Sequence, residues 1–256
     1  MPLRTLVLLL AAPLLGADPS KVLFIGNSYT GANKLPQVYG EIAKSLGRPV
    51  ATIKSNTPGG RTLENHLSIK GSMDLIDEGN WDAVVLQGQS QEAALSETDP
   101  LRRKSFLEAA HGLFVRIRKS SPQARVVFYQ TWARHADFWK AEKTKATAQL
   151  LGKDPVEMQA RTARWYDAAA KAEGGEVAPA GTAWGLHYAA SPDERLHVPD
   201  NSHPNFAGTY LAALVIFGRT HSTPSPSPQW KGTDKSALSA ETAGRLRAHA
   251  AAALSR

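Results

Sequence analysis

Val22-Leu23-Phe24-Ile25-Gly26-Asn27-Ser28-Tyr29-Thr30 is the stretch that decides the fold. Four consecutive apolar residues, Val22 to Ile25, predict a short strand buried on both faces, as in a sheet covered by helices. Gly26 ends the run, and Asn27 to Thr30 follow as a polar turn. A serine just beyond the carboxyl end of a buried strand stands where open α/β sheets place their chemistry. The same pattern arises where a serine merely caps the next helix, so the stretch alone leaves the role of Ser28 open.

Working outward, the alternation repeats. Lys34 to Leu46 reads as a helix with Pro36 in its first turn and Leu35, Val38, Ile42 and Leu46 at helical spacing. Val50 to Lys54 reads as a second strand, and the turn Thr57-Pro58-Gly59-Gly60 leads into a helix from about Thr62. Asp82 to Leu86 is a third buried strand, ending in Gln87-Gly88-Gln89-Ser90. A helix opened by Thr98-Asp99-Pro100 precedes a fourth strand, Arg125 to Tyr129. Trp132 to Lys153, polar and rich in Lys and aromatics, reads as an insertion over the sheet edge. A helix from Asp154-Pro155 to about Glu173, a fifth strand at Glu176 to Pro179, a short helix over Gly181 to Tyr188 and a buried helix over Phe206 to Phe217 complete the series. Short apolar strands alternating with helices predict an α/β fold with a parallel sheet covered on both sides.

The chain has 256 residues, 42% of them hydrophobic, which suits one sizeable domain. Its formal charge of +7 is spread out, without the Lys/Arg run of a nucleic-acid-binding arm, and no nucleic-acid partner is expected. Cysteine is absent, which excludes disulfides, thiolate chemistry and cysteine-ligated metals. Residues 1–17 read as a signal peptide. Arg4 supplies the positive start, and Thr5 to Leu15 is apolar but short of the roughly 20 residues that span a bilayer. Leu15-Gly16-Ala17 offers a cleavage site ahead of Asp18. The expectation is a protein exported to the periplasm or the extracellular space, without membrane insertion. The main domain is then 18–221, followed by a Pro/Ser-rich linker over 222–235, stiffened by Thr223-Pro-Ser-Pro-Ser-Pro228. A C-terminal helix within 236–256, capped by Ser239, carries Ala243, Leu246, Ala250 and Leu254 on one face and is expected to dock on the domain.

Four features fall at predicted strand ends or in loops, where one crevice can collect them. Ser28 needs a neighbouring base before its hydroxyl becomes a nucleophile, and histidine is the usual base. Asp200-Asn201-Ser202-His203-Pro204 supplies one, with an Asp three residues earlier that can reach the other ring nitrogen and fix the tautomer. Gly60 can offer an unobstructed backbone amide, and Gln89 a side-chain amide. Such donors, aimed at the oxyanion of an acyl transfer, are worth roughly 3 kcal/mol each.

In this order and spacing the residues resemble the SGNH hydrolase superfamily, also called GDSL-like esterases and lipases, over roughly Lys21 to Arg219. Its first block, Gly-Asp-Ser, stands here as Gly26-Asn27-Ser28. Its second-block glycine corresponds to Gly60, its third block Gly-x-Asn-Asp to the run Gln87-Gly88-Gln89-Ser90, and its fifth block Asp-x-x-His-Pro to Asp200, His203 and Pro204. Asn27 replaces an Asp and Gln89 an Asn, with Gln87 as the alternative donor. These replacements resemble an atypical branch carrying Gly-Asn-Ser-x-Thr and Leu-Gln-x-Gln-Ser.

The resemblance implies a three-layer α/β/α fold with a flavodoxin-like parallel sheet of about five strands. It also implies a serine esterase without cofactor, with Ser28, Asp200 and His203 as catalytic triad and the Ser28 amide, Gly60 and Gln89 as oxyanion hole. Export and the aromatic-rich segment favour O-deacetylation of a carbohydrate, with Trp132 and Arg134 as candidate substrate contacts and Trp139 and Trp184 as further aromatics. His135 and Asp137 lack a third ligand, so no metal is expected. The alternatives are a lipid or thioester acyl hydrolase, and a non-catalytic SGNH domain that binds polysaccharide.

Overall fold

Each apolar run becomes a strand of one parallel sheet in a computed structural model, which describes residues 17–256. The segment read as a signal peptide lies outside the described residues, except for Ala17. The strands are β1 (Lys21–Ile25), β2 (Thr52–Asn56), β3 (Ala83–Leu86), β4 (Arg125–Tyr129) and β5 (Glu176–Ala178), in the order β2-β1-β3-β4-β5. All neighbouring pairs are parallel. The order reverses at β1, whose two neighbours are β2 and β3, so a crevice opens beyond the carboxyl ends of β1 and β3.

Because side chains alternate along a strand, each central strand feeds two cores. Val22, Phe24, Val85, Val127 and Tyr129 face helices Leu35–Ser45, Ala180–Ala190, Phe206–Thr220 and Ala240–Leu254. Leu23, Ile25, Val84, Leu86, Val126 and Phe128 face helices Lys70–Asp77, Pro100–Ser120 and Pro155–Glu173. This is an α/β/α sandwich. Helix Phe206–Thr220 is apolar almost throughout because it is buried almost throughout, between the sheet and helices on its other sides. Helix Ala240–Leu254 packs on it and on Ala180–Ala190 through Ala243, Leu246, Ala250 and Ala253. Among the described residues no helix is long and apolar enough to cross a membrane.

Local signals set the helix starts. Asp99 accepts from the amides of Leu101 and Arg102 ahead of Pro100, and Asp154 accepts from that of Glu157 ahead of Pro155. Besides shifts of one to three residues at other element ends, three segments differ from the sequence reading. β2 starts at Thr52 rather than Val50, because its register pairs Lys21 with Thr52. As an edge strand with Lys54 and Ser55 exposed, β2 lacks the apolar run that marks the others. The helix from Thr62 is broken into Leu63–His66 and Lys70–Asp77. The 132–153 segment forms short helices, Asp137–Lys140 and Lys145–Leu151, whose Phe138, Ala148 and Leu151 pack with Ala94 and Met158.

Candidate active site

Ser28, His203 and Asp200 meet beyond the carboxyl end of β1. The Ser28 Oγ lies 2.9 Å from His203 Nε2, and His203 Nδ1 lies 2.6 Å from Asp200 Oδ2. With Asp200 ionised, Nδ1 carries the proton and donates it, which leaves Nε2 to accept from the Ser28 hydroxyl. Asn201, at φ 64°, turns the chain so that Asp200 can reach back. Asp200 Oδ1 accepts from the backbone amides of Ser202 and His203 at 2.8 and 2.9 Å. Partial burial pushes the Asp200 carboxyl up, but the hydrogen bonds from the His203 ring and these two amides outweigh it, and the group ends below the usual carboxylate range. Asn33 ties the two sides together by donating to the Pro204 carbonyl at 3.0 Å and to Thr209 Oγ1 at 2.9 Å.

Asn27 is the buried clamp of this crevice, at 2% exposure. It caps the short helix Ser28–Gly31, accepting from the Tyr29 amide at 3.1 Å. Its Nδ2 donates to the carbonyls of Arg61, at 2.9 Å, and Gly88, at 3.1 Å. These carbonyls belong to the loops that follow β2 and β3, so one side chain joins three loops. Gln87 completes the network: its Oε1 accepts from the Asn27 amide at 3.0 Å and the Thr30 hydroxyl at 2.8 Å, and its Nε2 donates to the Gly88 carbonyl. A Cβ at Gly26 would stand 2.4 Å from Thr30 Oγ1 and 2.8 Å from Gln87 Oε1, so only glycine fits there. The Gly-Asn-Ser-x-Thr and Leu-Gln-x-Gln-Ser runs are therefore parts of one hydrogen-bonded unit.

That unit separates the two glutamines. Gln87 is fully buried and bonded at both ends of its amide. Gln89 is half-buried, with Oε1 accepting from the Gln91 amide at 2.7 Å, and its Nε2 makes no hydrogen bond among the described residues. Gly60 sits at φ 70°, exposed, with nothing within 4 Å of where a Cβ would stand; it neighbours Arg61, whose carbonyl Asn27 holds.

Behind Gln89 lies Glu92, 6% exposed, with Oε2 3.2 Å from the Gln89 amide. Burial pushes its carboxyl up from 4.5 to about 7, against the pull of hydrogen bonds from the Gln89 and Leu63 amides. The folded state thus keeps this proton longer than the unfolded chain. The resulting stability is complete below about pH 4.5 and is lost as pH rises through 7, by up to about 3 kcal/mol. Glu92→Gln is expected to flatten the dependence. Thermal melts should put the variant a few degrees above the parent at pH 8 and level with it near pH 4.5, and parallel melting profiles for the two proteins would refute this.

Trp132 and Trp184, two of the aromatics that follow β4 and β5, are buried. Trp132 is 1% exposed, with Tyr29 stacked at 4.6 Å and Trp184 at 3.9 Å. Stacked on both rings, Trp132 leaves little surface for a sugar. Trp184 is equally buried, and Trp139 donates to the Gly152 carbonyl inside the 132–153 segment. Arg134 is 7% exposed and bonds Tyr29 and Ser90. A cavity of about 590 Å³ between helices Pro155–Glu173 and Ala180–Ala190 is bordered by Trp132, Arg134 and Trp184, and neither Ser28 nor His203 lines it. His135 and Asp137 pair at 3.1 Å, and among the described residues no three metal-ligating side chains converge. The sequence reading missed Tyr29, Asn33, Ser90, Glu92 and Ser202. Tyr29, Ser90 and Ser202 adjoin Ser28, Gln89 and His203 in the chain, and that adjacency was the available signal.

No protein-family model and no curated protein matches the chain. Solved structures do. A protein from Slackia heliotrinireducens, provisionally described as an SGNH hydrolase, is 27% identical, with a TM-score of 0.60 over 77% of this chain and 96% of its own. A DUF4886 family protein from Bacteroides uniformis is 19% identical, with a TM-score of 0.72 over 91% of this chain and 94% of its own. The acetyl xylan esterase AlAXEase is 15% identical, with a TM-score of 0.57 over 78% of this chain and 98% of its own. The class is thereby defined: the chain has the fold of the SGNH hydrolases.

Proposed function

We propose that this chain is an exported serine ester hydrolase that removes acetyl groups from a carbohydrate. The observation that carries the reading is the unbroken hydrogen-bond chain from Ser28 Oγ through the His203 ring to Asp200, at 2.9 and 2.6 Å. Ser28 attacks the acyl carbon as His203 Nε2 takes the hydroxyl proton. Asp200 keeps the imidazole in register and stabilises its cationic form. The amides of Ser28 and Gly60 and the Gln89 side chain receive the oxyanion. Gln89 is preferred to Gln87 because its Nε2 is uncommitted, whereas both ends of the Gln87 amide are bonded. Collapse expels the alcohol, protonated by His203, and His203 then activates the water that releases the acid.

The acetyl preference draws on the fold shared with proteins described as acetyl xylan esterases, and export on the apolar, Arg4-led segment 1–17. A series of p-nitrophenyl esters tests the substrate class. Acetate is expected to give the highest kcat/KM, with a steep fall by hexanoate. A rise toward octanoate would move the substrate to lipids or acyl thioesters. Failure to cleave any ester, with polysaccharide binding retained, would make the chain a binding module instead.

A further inference from the structure

We infer that Arg134 is a positioning residue for this site, registering the three loops that carry Ser28, Gln89 and His203; the inference rests on the ester-hydrolase reading above. Its guanidinium donates through one terminal nitrogen to the Tyr29 hydroxyl and through the other to Ser90 Oγ, at 2.9 Å. Tyr29 directly follows Ser28, and Ser90 directly follows Gln89. The Tyr29 hydroxyl lies 2.8 Å from Ser202 Oγ, and Ser202 directly precedes His203. Trp132 closes the same circuit by donating from Nε1 to the Ser202 carbonyl at 3.0 Å. One planar fork therefore reaches the immediate neighbour of two candidate catalytic groups directly and of the third through a single hydroxyl.

The mount is fixed from behind. The amide of Ala133 donates to Gln159 Oε1 at 2.9 Å, and that of Arg134 lies 3.4 Å from Met158 Sδ, so helix Pro155–Glu173 anchors the loop after β4. The charge itself argues against a purely structural role. Arg134 is 7% exposed, its two hydrogen-bond partners are neutral hydroxyls, and its guanidinium lies 5.9 Å from the Tyr29 ring centre and 5.8 Å from that of Phe138. A buried cation facing hydroxyls and ring faces rather than a carboxylate is an expensive way to fill space, and an apolar side chain of similar volume would serve stability better. What an apolar side chain cannot do is present two parallel donors to two separate loops. Misplacement of reacting groups by about 1 Å is enough to lower a rate roughly 100-fold.

Four variants of the full chain test this on p-nitrophenyl acetate: Arg134→Lys, Arg134→Gln, and the single-prong changes Tyr29→Phe and Ser90→Ala. Rates are normalised to the folded fraction read by circular dichroism. Arg134→Lys keeps the charge but loses the fork, and it is expected to lower kcat roughly 100-fold while KM stays within about threefold. Arg134→Gln should match or exceed that loss. The single-prong variants remove no charge and are expected to fold even where the Arg134 variants do not, each losing about tenfold in kcat. A role in stability alone would lower the melting temperature and leave kcat per folded molecule unchanged. Folded Arg134→Lys or Tyr29→Phe with kcat within twofold of the parent overturns the inference. If the parent itself cleaves no ester, the hydrolase reading fails first and takes the inference with it; a parent that is active but indifferent to these changes defeats the inference alone.

Discussion

Ser28→Ala is expected to lower kcat for p-nitrophenyl acetate by about 10⁴- to 10⁶-fold while leaving the fold intact. The hydroxyl makes one hydrogen bond, to His203 Nε2 at 2.9 Å, in a half-buried position. Losing it costs about 1 kcal/mol of stability, a small part of the whole. The rate effect is far larger because, among the described residues, no other hydroxyl stands at hydrogen-bond distance from Nε2 to replace the nucleophile. Residual turnover would come only from water in a site that retains its oxyanion donors. Steady-state kinetics on purified parent and variant, with melting curves alongside, separate the two effects. A variant that folds and keeps more than a few per cent of the parent rate removes Ser28 from the mechanism.

Much of this was legible in the sequence because the signals were local. Val22 to Ile25, Ala83 to Leu86 and Val126 to Tyr129 are buried on both faces, so each reads as an unbroken apolar run wherever it sits in the sheet. The edge strand β2, half-exposed, carries no such run, and its start was displaced by two residues. The site was legible in the same uneven way. Asp200 and His203 share one tight turn and could be paired by spacing. The surroundings of Trp132 were not legible because they are long-range: it stacks on Tyr29 and Trp184, far apart in the chain. Aromatic content after a strand does not reveal which faces are free. The choice between Gln87 and Gln89 was likewise invisible, since it turns on bonds from Gln87 to Asn27 and Thr30 on another strand's loop.

The other large effect concerns Asn27, and here the family's usual Asp is expected to be the damaging residue. In Asn27→Asp the two carbonyls that now receive Nδ2–H bonds, Arg61 at 2.9 Å and Gly88 at 3.1 Å, would face an oxygen. An ionised carboxylate at 2% exposure against two carbonyl oxygens would destabilise the fold by about 3–5 kcal/mol. Protonation relieves only part of this, because one O–H can serve one of the two carbonyls. The introduced carboxyl is thus held above its unfolded value, so the variant is least damaged at low pH and loses stability as pH rises through its folded pKa. Urea unfolding at pH 4 and pH 7.5 checks the sign: the deficit against the parent should be clearly smaller at pH 4. Turnover should fall with it, because the released loops carry Gly60 and Gln89. A deficit that is absent, or the same at both pH values, would mean that Asn27 is not the clamp. The dependence on an amide follows from Gln87. Its Oε1 already accepts from the Asn27 backbone and its Nε2 is directed at the Gly88 carbonyl, and among the described residues the Arg61 carbonyl is held by the Asn27 side chain and not by Gln87. In this chain the first-block Asn and the glutamine after β3 are therefore a matched pair, and changing one alone breaks the hydrogen-bonding that both complete.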